Sequence, residues 1–481
     1  MENPVPERLD KAARLRDLGF EPFGRRYESS HTTAEAHELF EKAGEGQQVT
    51  CAGRVTGIRD HGKATFFDIR DSSGSIQAYL KQGESPDSAV EIFSCVDLGD
   101  FVGLGGEVFK TRTGEVTVMV RSLTPLSKAF LVLPEKWHGL RDPELRFRKR
   151  YLDLIANPDV AETFKARTRI LRSVRRFLEE RGFMEVETPM MQNIAGGATA
   201  RPFRTHHNAL DIDIFLRVAG GELYLKRLLV GGLDKVYELS RVFRNEGIDR
   251  QHNPEFTMLE AYQSYADYNV MMELTEQMVA SVAEEVCGTT KVKFGDLDLD
   301  LASPWPRLSY FDLLKKHAEV RSLEHDELVK RAKALNLEID PAWDPPALVD
   351  ELFKETVEPH LTGPLFVVDY PASLCPLAKC KPDQPEIAER FEPYFAGMEL
   401  GNGYSELNDP VEQERRFREQ AARAEKGEEA IDEDFVEALM HGMPPAGGLG
   451  IGIDRLVMLL TNSQSIRDVI LFPLLRPVSD V

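Results

Sequence analysis

The sequence predicts an α+β protein: a small closed barrel of five β-strands, then a larger domain in which helices flank an antiparallel β-sheet. Two observations predict this. Short alternating strands separated by glycine turns fill residues 49–126, and two longer alternating runs flank a polar turn within residues 236–262. At 481 residues the chain is also long enough to bury a large core.

The composition is ordinary for a soluble globular protein, with 42% hydrophobic and 29% charged residues. The net charge of −21 argues against a protein that binds nucleic acid over its whole surface, so any RNA contact must be local. No apolar run is long enough for a bilayer span or a signal peptide, which predicts a cytoplasmic protein without a membrane partner. The five cysteines are typical of reduced thiols, and nothing after Cys375 and Cys380 completes a zinc site.

Four segments are predicted along the chain. They are a helical extension, the barrel, a hinge rich in proline and basic residues, and the larger domain, at residues 1–47, 48–128, 129–150 and 151–481. A helical insertion around 308–360, without a chemical signature, interrupts the larger domain. The larger domain itself starts with an amphipathic helix from Pro158 and the strand FMEVETP, which ends at Pro189.

The barrel pattern is typical of the oligonucleotide-binding fold. In its second strand Phe66 faces one way, whereas Phe67 and Ile69 face the other. An exposed Phe66 beside Arg59 and Gln77 would stack an unpaired base and read its edge. The alternative is that both phenylalanines fill the barrel and Arg59 is solvated.

The runs VYELSRVFRNE and EFTMLEAY predict an antiparallel hairpin with one apolar face and one polar face, on which Arg244, Phe256 and Glu260 lie. Arginine binds phosphate in bidentate fashion and a flat aromatic ring stacks a base. The polar face therefore suits a nucleoside triphosphate beside a small charged substrate. The alternative is an amphipathic hairpin whose charged face is only solvated.

Two further segments near the C-terminus carry chemistry. Glu392 and Glu399 are hard oxygen donors suited to Mg²⁺, although they differ in strand parity, so a turn near Gly397 would have to aim both at one site. Otherwise they are two surface acids. The run GGLGIGIDRLVMLL predicts a glycine strand that lies close under a nucleotide, then a helix from about Asp454 whose first turn holds Arg455.

These segments resemble the signature motifs of the class II aminoacyl-tRNA synthetases. FRNE followed by HNPEFTMLE resembles the second motif, GLGIGIDRLVMLL the third, and the helix, strand and Pro189 the first. With a barrel in front, the chain resembles class IIb and, within it, the lysyl-tRNA synthetases of bacterial type. The cysteines of CPLAKC and the pair Gly220 and Gly221 depart from the family pattern.

The resemblance implies an enzyme that activates L-lysine with ATP and transfers it to the 3′-terminal adenosine of tRNA(Lys). It also implies Mg²⁺ as the cofactor, a homodimer formed through the first motif, and an anticodon-binding role for the barrel through Arg59, Phe66 and Gln77. The residues it assigns to ATP are Arg244 on the α-phosphate, Glu246 near the adenine amino group, His252 and Arg455 on the outer phosphates, and Phe256 on the adenine ring. It assigns Glu392 and Glu399 to Mg²⁺.

The amino-acid pocket has to distinguish lysine from the acidic or amide substrates of related enzymes. A pocket for an ammonium group needs carboxylates and other acceptors, whereas a pocket for a carboxylate needs arginine or lysine. The candidates favour a cationic guest because three are acids; they are Glu222, Glu260, Tyr262, Asn402, Tyr404 and Glu406.

Two alternatives remain for the function. A lysyl-transferring paralogue that modifies a protein would lack the barrel that this chain has. A noncatalytic RNA-binding protein derived from a synthetase would be expected to have lost Arg244, Glu399 or Arg455, and all three are present.

Overall fold

The structure is a computed structural model that describes residues 3–133, 140–194, 200–340, 343–422 and 431–477. The chain packs into two compact units, Met1–Arg141 and Asp142–Val481. Residues 134–139, in the middle of the predicted hinge, lie outside the described residues, as do residues 341–342 of the predicted insertion.

The first unit is a closed five-stranded barrel preceded by two helices, as predicted. Its elements are α1 (Pro6–Asp17), α2 (Thr33–Ala43), β1 (Gln48–Asp60), β2 (Ala64–Arg70), β3 (Ser75–Lys81), α3 (Asp87–Phe93), β4 (Phe101–Lys110) and β5 (Val116–Ser127). Around the barrel the strands follow the order β1-β2-β3-β5-β4. Helix α2 begins with a capping box in which the Thr32 side chain accepts from the Glu35 N–H and the Glu35 side chain accepts from the Thr32 N–H.

The barrel core confirms the period-2 reading of β2. Phe67 and Ile69 are fully buried, whereas Phe66 is half-buried on the outer face. Of the two phenylalanines, Phe67 therefore fills the barrel, whereas the Phe66 ring stays available on the outer face of β2.

The second unit contains the remaining helices and strands. Its helices are α4 (Pro143–Arg148), α5 (Arg150–Ala156), α6 (Pro158–Glu179), α7 (Glu222–Val230), α8 (Tyr268–Cys287), α9 (Tyr310–His317), α10 (His325–Ala334), α11 (Pro345–Thr356), α12 (Pro410–Ala421), α13 (Glu433–Met440), α14 (Ile453–Thr461) and α15 (Ile466–Val469). Its strands are β6 (Met184–Glu185), β7 (Met191–Gln192), β8 (Arg204–His207), β9 (Ile212–Leu216), β10 (Lys235–Phe243), β11 (Glu255–Ser264), β12 (Lys291–Phe294), β13 (Leu297–Asp300), β14 (Arg307–Ser309), β15 (Leu365–Pro371), β16 (Cys380–Lys381), β17 (Gln384–Phe395), β18 (Met398–Glu399), β19 (Gly401–Ser405) and β20 (Ala446–Gly452).

A large, mostly antiparallel sheet organises this unit. Its main path runs β14-β15-β17-β19-β20-β11-β10-β6, and only the two edge pairs along it are parallel. Only Met184–Glu185 of the predicted strand FMEVETP form a strand, which pairs with β10 at the edge of the sheet. The segment ends at Pro189, which has no N–H to donate to a ladder.

The two faces of the sheet differ in chemistry. One face packs on α6, α8 and α14 in the main hydrophobic core, which includes Tyr237, Leu259 and Ile451. Since side chains alternate along a strand, Glu238 and Glu260 point to the opposite face. The sheet thus presents one polar face, supported from behind by helices.

The range 308–360, where the sequence predicts an insertion, contains helices α9, α10 and α11. Helices α9, α10 and α11 share a hydrophobic core with β15 and β17, built around Tyr310, Phe353, Tyr370 and Tyr394. Among the described residues, no helix combines the length and apolar character needed to cross a membrane.

Candidate active site

The hairpin of β10 and β11 forms the centre of the polar face. Its register pairs Glu238 with Glu260 and Val242 with Phe256, which confirms the predicted antiparallel hairpin. Strand β10 ends at Phe243, so the prediction that Arg244 and Glu246 continue the strand is wrong. The Arg244 N–H instead donates to Pro254 O, 2.9 Å away, at the base of the loop.

Neighbouring strands extend the polar face in rows. Strand β20 lies between β11 and β19, so that Glu260, Gly450 and Asn402 form one row across three strands. The next row consists of Tyr262, Gly448 and Tyr404. The glycines leave room for the side chains beside them, because a Cβ atom on Gly448 would lie 2.0 Å from Glu406 Oε1.

Three carboxylates converge at one end of these rows. Glu222, Glu260 and Glu406 are 6%, 4% and 0% exposed. Lys226, itself fully buried, places Nζ 2.6 Å from Glu222 Oε1 and 2.5 Å from Glu406 Oε2. The Tyr404 hydroxyl donates to Glu222.

This acid cluster keeps unused acceptors. Glu260 Oε1 accepts from the Gly220 N–H at 2.6 Å, but Glu260 Oε2 and Glu406 Oε1 are buried without a hydrogen-bond partner in the described part of the chain. Burial raises the pKa of Glu260 and of Glu406 to about 8, and the charge of Glu222 adds to the effect on both. One internal ammonium group against three carboxylates leaves an electrostatic place for a second cation.

Two glycines, Gly220 and Gly221, precede Glu222 and lie against the side chains of Glu260 and Glu238. Gly221 has φ +105°, and a Cβ there would lie 2.3 Å from Thr188 Oγ1 and 2.8 Å from Glu238 Oε2. A Cβ on Gly220 would lie 2.7 Å from Glu260 Cδ. Only glycine fits at these two positions while Glu238 and Glu260 keep their places.

The other end of the polar face is more open. The Arg244 guanidinium lies 5.2 Å from the centre of the half-buried Phe256 ring, and Nε donates to Val218 O at 3.1 Å. Glu246 and His252 are exposed on the loop between the two strands. An arginine on a flat ring at an accessible edge suits an aromatic group that carries a phosphate.

The glycine strand leads directly into helix α14, as predicted. Arg455, in its first turn, donates to Glu399 O at 2.5 Å and places Nη2 3.4 Å from His252 Nε2. The buried Asp454 accepts from Arg167 and from the Thr257 N–H, each at 2.6 Å, and fixes the start of the helix against β11.

The predicted turn that brings Glu399 back toward Glu392 is present. Ala396 and Gly397 both have positive φ, +49° and +71°, and Glu399 pairs with Tyr394 in the hairpin that follows. Burial raises the pKa of Glu399, and the charge of Glu392 raises it further. The two carboxylates are thus close enough to repel each other, beside Arg455 and near Arg244.

Each of the two units matches a known protein family. The family described as "tRNA synthetases class II (D, K and N)" matches residues 142–476, and "OB-fold nucleic acid binding domain" matches residues 49–126. A lysine–tRNA ligase of Moorella thermoacetica is 54% identical, covering 98% of this chain and 97% of the relative. Those of Pelotomaculum thermopropionicum and Thermoanaerobacter sp. (strain X514) are 53% and 52% identical, with 98% of this chain and 94% and 96% of the relatives covered.

The chain belongs to the class II tRNA synthetases, within the lysine–tRNA ligase family. The fold and the enzyme class predicted from its sequence are therefore confirmed. Class II synthetase residues that the sequence predicted separately come together on one polar face: Glu222, Glu260, Tyr262, Asn402, Tyr404 and Glu406 at the acidic end, and Arg244, Phe256, His252 and Arg455 toward the open end.

The carboxylates of this synthetase fit a divalent cation. Glu392 and Glu399 offer hard oxygen donors on the two strands of one hairpin, in which Glu399 pairs with Tyr394, two residues after Glu392, and their mutual repulsion is what a bound cation would relieve. No cluster of three or more metal-ligating side chains occurs among the residues that the structure describes. Two carboxylates suit Mg²⁺, which usually takes one or two protein carboxylates together with substrate phosphates.

The barrel places its three predicted residues on one outer surface. Arg59 pairs in register with Phe66 and forms two 2.8 Å hydrogen bonds with Asp68, while Gln77 lies opposite Asp68 and accepts from Thr117 at 2.8 Å. The Phe66 ring centre lies 4.6 Å from that of Tyr79. The surface therefore combines aromatic rings with polar groups, although Arg59 is already paired within the barrel.

Sequence reasoning missed several buried partners of the site. Lys226 could have been found, because it follows Glu222 by four residues on one helix and such pairs lie on the same face. The contacts of Arg217 with Glu238, at 2.8 Å, and of Glu392 with two tyrosine hydroxyls depend on strand order and leave no local signal.

Proposed function

We propose that this chain activates L-lysine with ATP to form lysyl-adenylate and then transfers the lysyl group to the 3′-terminal adenosine of tRNA(Lys). The observation that carries this proposal is the acid cluster of Glu222, Glu260 and Glu406, in which only one internal ammonium group opposes three buried carboxylates. A substrate carboxylate would be repelled there, whereas the side-chain ammonium of lysine would be attracted.

The unused acceptors of the cluster support its role as the lysine site. Glu406 Oε1 and Glu260 Oε2 are buried and unpaired in the described structure, and a lysine ammonium has three N–H donors to offer. Tyr262, Asn402 and Tyr404 border the same space through their rows with Gly448 and Gly450. Glu222 would face the α-amino group of the substrate.

In the activation step, an oxygen of the lysine carboxylate attacks the α-phosphorus of ATP, and the bond to pyrophosphate breaks. Arg244 would stabilise the charge on the α-phosphoryl oxygens, while Phe256 stacks the adenine and Glu246 lies near its amino group. His252 and Arg455 would hold the outer phosphates. Glu392 and Glu399 would hold Mg²⁺, which when bound neutralises charge on the triphosphate.

The transfer step needs no protein nucleophile. The oxygen of the 3′ hydroxyl of the terminal ribose attacks the carbonyl carbon of the adenylate and forms the ester bond, its proton is released, and AMP leaves with the bonding electron pair. Holding both reactants against one rigid sheet supplies most of the advantage over the reaction in water. The buried Asp454, bound to Arg167 and Thr257, keeps Arg455 and its helix in register with that sheet.

The remaining parts of the proposal concern partners and location. The outer barrel surface around Phe66, Arg59 and Gln77 would bind the anticodon of tRNA(Lys), by base stacking and by contacts to base edges. A homodimer through the first motif and a cytoplasmic location complete the proposal. Met184, within that motif, and Met191, just after it, are 51% and 60% exposed and are apolar surface of the kind that a dimer would cover.

Amino-acid-dependent exchange between ATP and labelled pyrophosphate, measured with each of the twenty amino acids, tests the proposal. Lysine alone should support rapid exchange, and filter binding should then detect lysyl-tRNA. Exchange with aspartate or asparagine instead would overturn the lysine assignment. Exchange with lysine but no charging of tRNA would favour the paralogue that modifies another acceptor, and no exchange would favour a noncatalytic RNA-binding protein.

A further inference from the structure

Glu392 is held by three donors, namely two buried tyrosine hydroxyls and the half-buried guanidinium of Arg390. The Tyr370 and Tyr394 hydroxyls both donate to Glu392 Oε2, at 2.6 and 2.8 Å, and the Arg390 guanidinium donates to Oε1. The two tyrosines are 4% and 2% exposed, and Glu392 is 7% exposed. Because the Glu392 carboxylate is buried, water competes little for its hydrogen bonds, and the donors fix it in one orientation.

The hydrogen bonds leave Glu392 with one direction for a cation. Each carboxylate oxygen has two lone pairs. The two tyrosine hydroxyls use both lone pairs of Oε2, and Arg390 uses one of Oε1. One lone pair, on Oε1, would then remain for a metal ion while both hydroxyls are in place.

The helical insertion holds both tyrosines. The Tyr370 ring centre lies 4.6 Å from that of Tyr310 on α9, which stacks on Phe353 of α11 at 4.3 Å with an interplanar angle of 6°. The Tyr394 hydroxyl also lies 3.1 Å from Glu358 Oε1, just after α11. The residues of this insertion carry no chemical signature of their own, because its contribution comes through the core it shares with β15 and β17.

We propose that Tyr370 and Tyr394 are positioning residues for Glu392, and that the insertion serves the active site by holding their rings. The inference rests on the proposed function, in which Glu392 and Glu399 bind Mg²⁺. Outer partners of a metal ligand orient it, and their loss typically lowers metal affinity about 10- to 100-fold.

The direct test measures Mn²⁺ binding to the full-length chain by electron paramagnetic resonance, with a non-hydrolysable ATP analogue and lysine present. The double variant Tyr370→Phe/Tyr394→Phe should raise the dissociation constant of Mn²⁺ about 10- to 100-fold, and each single variant should raise it by a smaller factor. Tyr310→Phe is the matched control, because among the described residues the Tyr310 hydroxyl donates only to Val349 O, at 3.4 Å, within the same core. It should bind Mn²⁺ like the parent chain.

The role of the insertion has its own pair of variants. Tyr310→Leu removes the ring that packs on Tyr370, whereas Tyr310→Phe keeps it, so only Tyr310→Leu should weaken Mn²⁺ binding. Thermal unfolding must show that both variants are folded at the assay temperature. In pyrophosphate exchange, the tyrosine variants should need more Mg²⁺ for half-maximal rate and recover at high Mg²⁺, with an unchanged KM for lysine.

The variant Glu399→Gln distinguishes a failure of this inference from a failure of the proposed function. If Glu399→Gln abolishes Mn²⁺ binding and the double tyrosine variant binds with parent affinity, the positioning role is wrong and the metal site stands. If Glu399→Gln binds Mn²⁺ like the parent chain, the metal site of the proposed function is wrong. Should the double variant not fold, parent-like affinity in both single variants overturns the inference.

Discussion

Lys226 and Glu406 are fully buried and in contact, with 2.5 Å between Nζ and Oε2. The two residues come from helix α7 and from the end of β19, so the pair joins the helix that carries Glu222 to the central sheet. Because Lys226 also contacts Glu222, it reduces the negative charge of the cluster without cancelling it.

Lys226→Met should destabilise the chain strongly. Removing one partner of a buried ion pair leaves uncompensated carboxylates and typically costs about 3–5 kcal/mol. The free energy of unfolding in urea measures the effect. Lys165→Met is the matched control, since its pair with Glu162, at 2.8 Å, lies on the surface of the same unit. Equal stability of the two variants would contradict a structural role for Lys226.

Lysine binding should strengthen as the pH rises from about 6 to 8. The pKa values of Glu260 and Glu406 are about 8 in the free protein, so both acids are largely protonated at pH 6 and lose their protons when a cation binds. Each proton released on binding makes the affinity rise about tenfold per pH unit. Calorimetry in buffers of different ionisation enthalpy should detect this release, and Glu260→Gln should reduce it.

The raised pKa values of Glu260 and Glu406 also determine how the stability of the folded protein changes with pH. The folded-state pKa values lie above those of unfolded glutamates, so the folded state binds more protons between about pH 4.5 and 8. The contribution of both acids to stability is present below pH 4.5 and is lost as the pH rises through 8. Lysine should therefore raise the thermal midpoint more at pH 8 than at pH 6, and an equal rise would contradict the assignment.

Arg244→Ala should abolish most adenylate formation in a folded protein. Loss of one charged contact to the transition state costs about 3 kcal/mol, or roughly a hundredfold in rate. The measurement is lysine-dependent pyrophosphate exchange. Arg241→Ala is the control, because Arg241 is bound to Glu255 and Thr257 next to the site. Near-normal exchange by Arg244→Ala would refute the role.

Phe66→Ala should weaken tRNA charging and leave lysine activation intact. Stacking of one base on an aromatic ring contributes about 1–3 kcal/mol, which should appear as a higher KM for tRNA. Phe101→Ala tests specificity, since Phe101 is exposed on β4 of the same barrel and packs on Arg54. If Phe66→Ala reduced exchange and charging equally, Phe66 would be structural.

Local periodicity made much of this fold predictable. The alternation of Phe66 with Phe67 and of Leu259 with Glu260 gave the correct faces, and the parity conflict of Glu392 and Glu399 located a real turn at Gly397. These patterns work because side chains alternate along any strand, whatever its neighbours.

Contacts between distant segments were not predictable. The pairing of Lys226 with Glu406 depends on helix α7 meeting the end of β19. The end of β10 at Phe243 is decided by the loop, where the Arg244 N–H bonds Pro254 O instead of a ladder partner. The two tyrosines on Glu392 depend on how an insertion packs against the sheet, and no residue spacing records that.

The close packing of Glu406 against Gly448 also restricts how the enzyme can change over evolutionary time. A methyl group at this position would displace Glu406, which is buried against the glycine. A mutation there is tolerable only after residue 406 has shortened, and in the proposed function a shortened residue 406 would no longer attract lysine. Lineages that drift toward another amino acid would have to pass through a nearly inactive intermediate, so the two positions are expected to be inherited together.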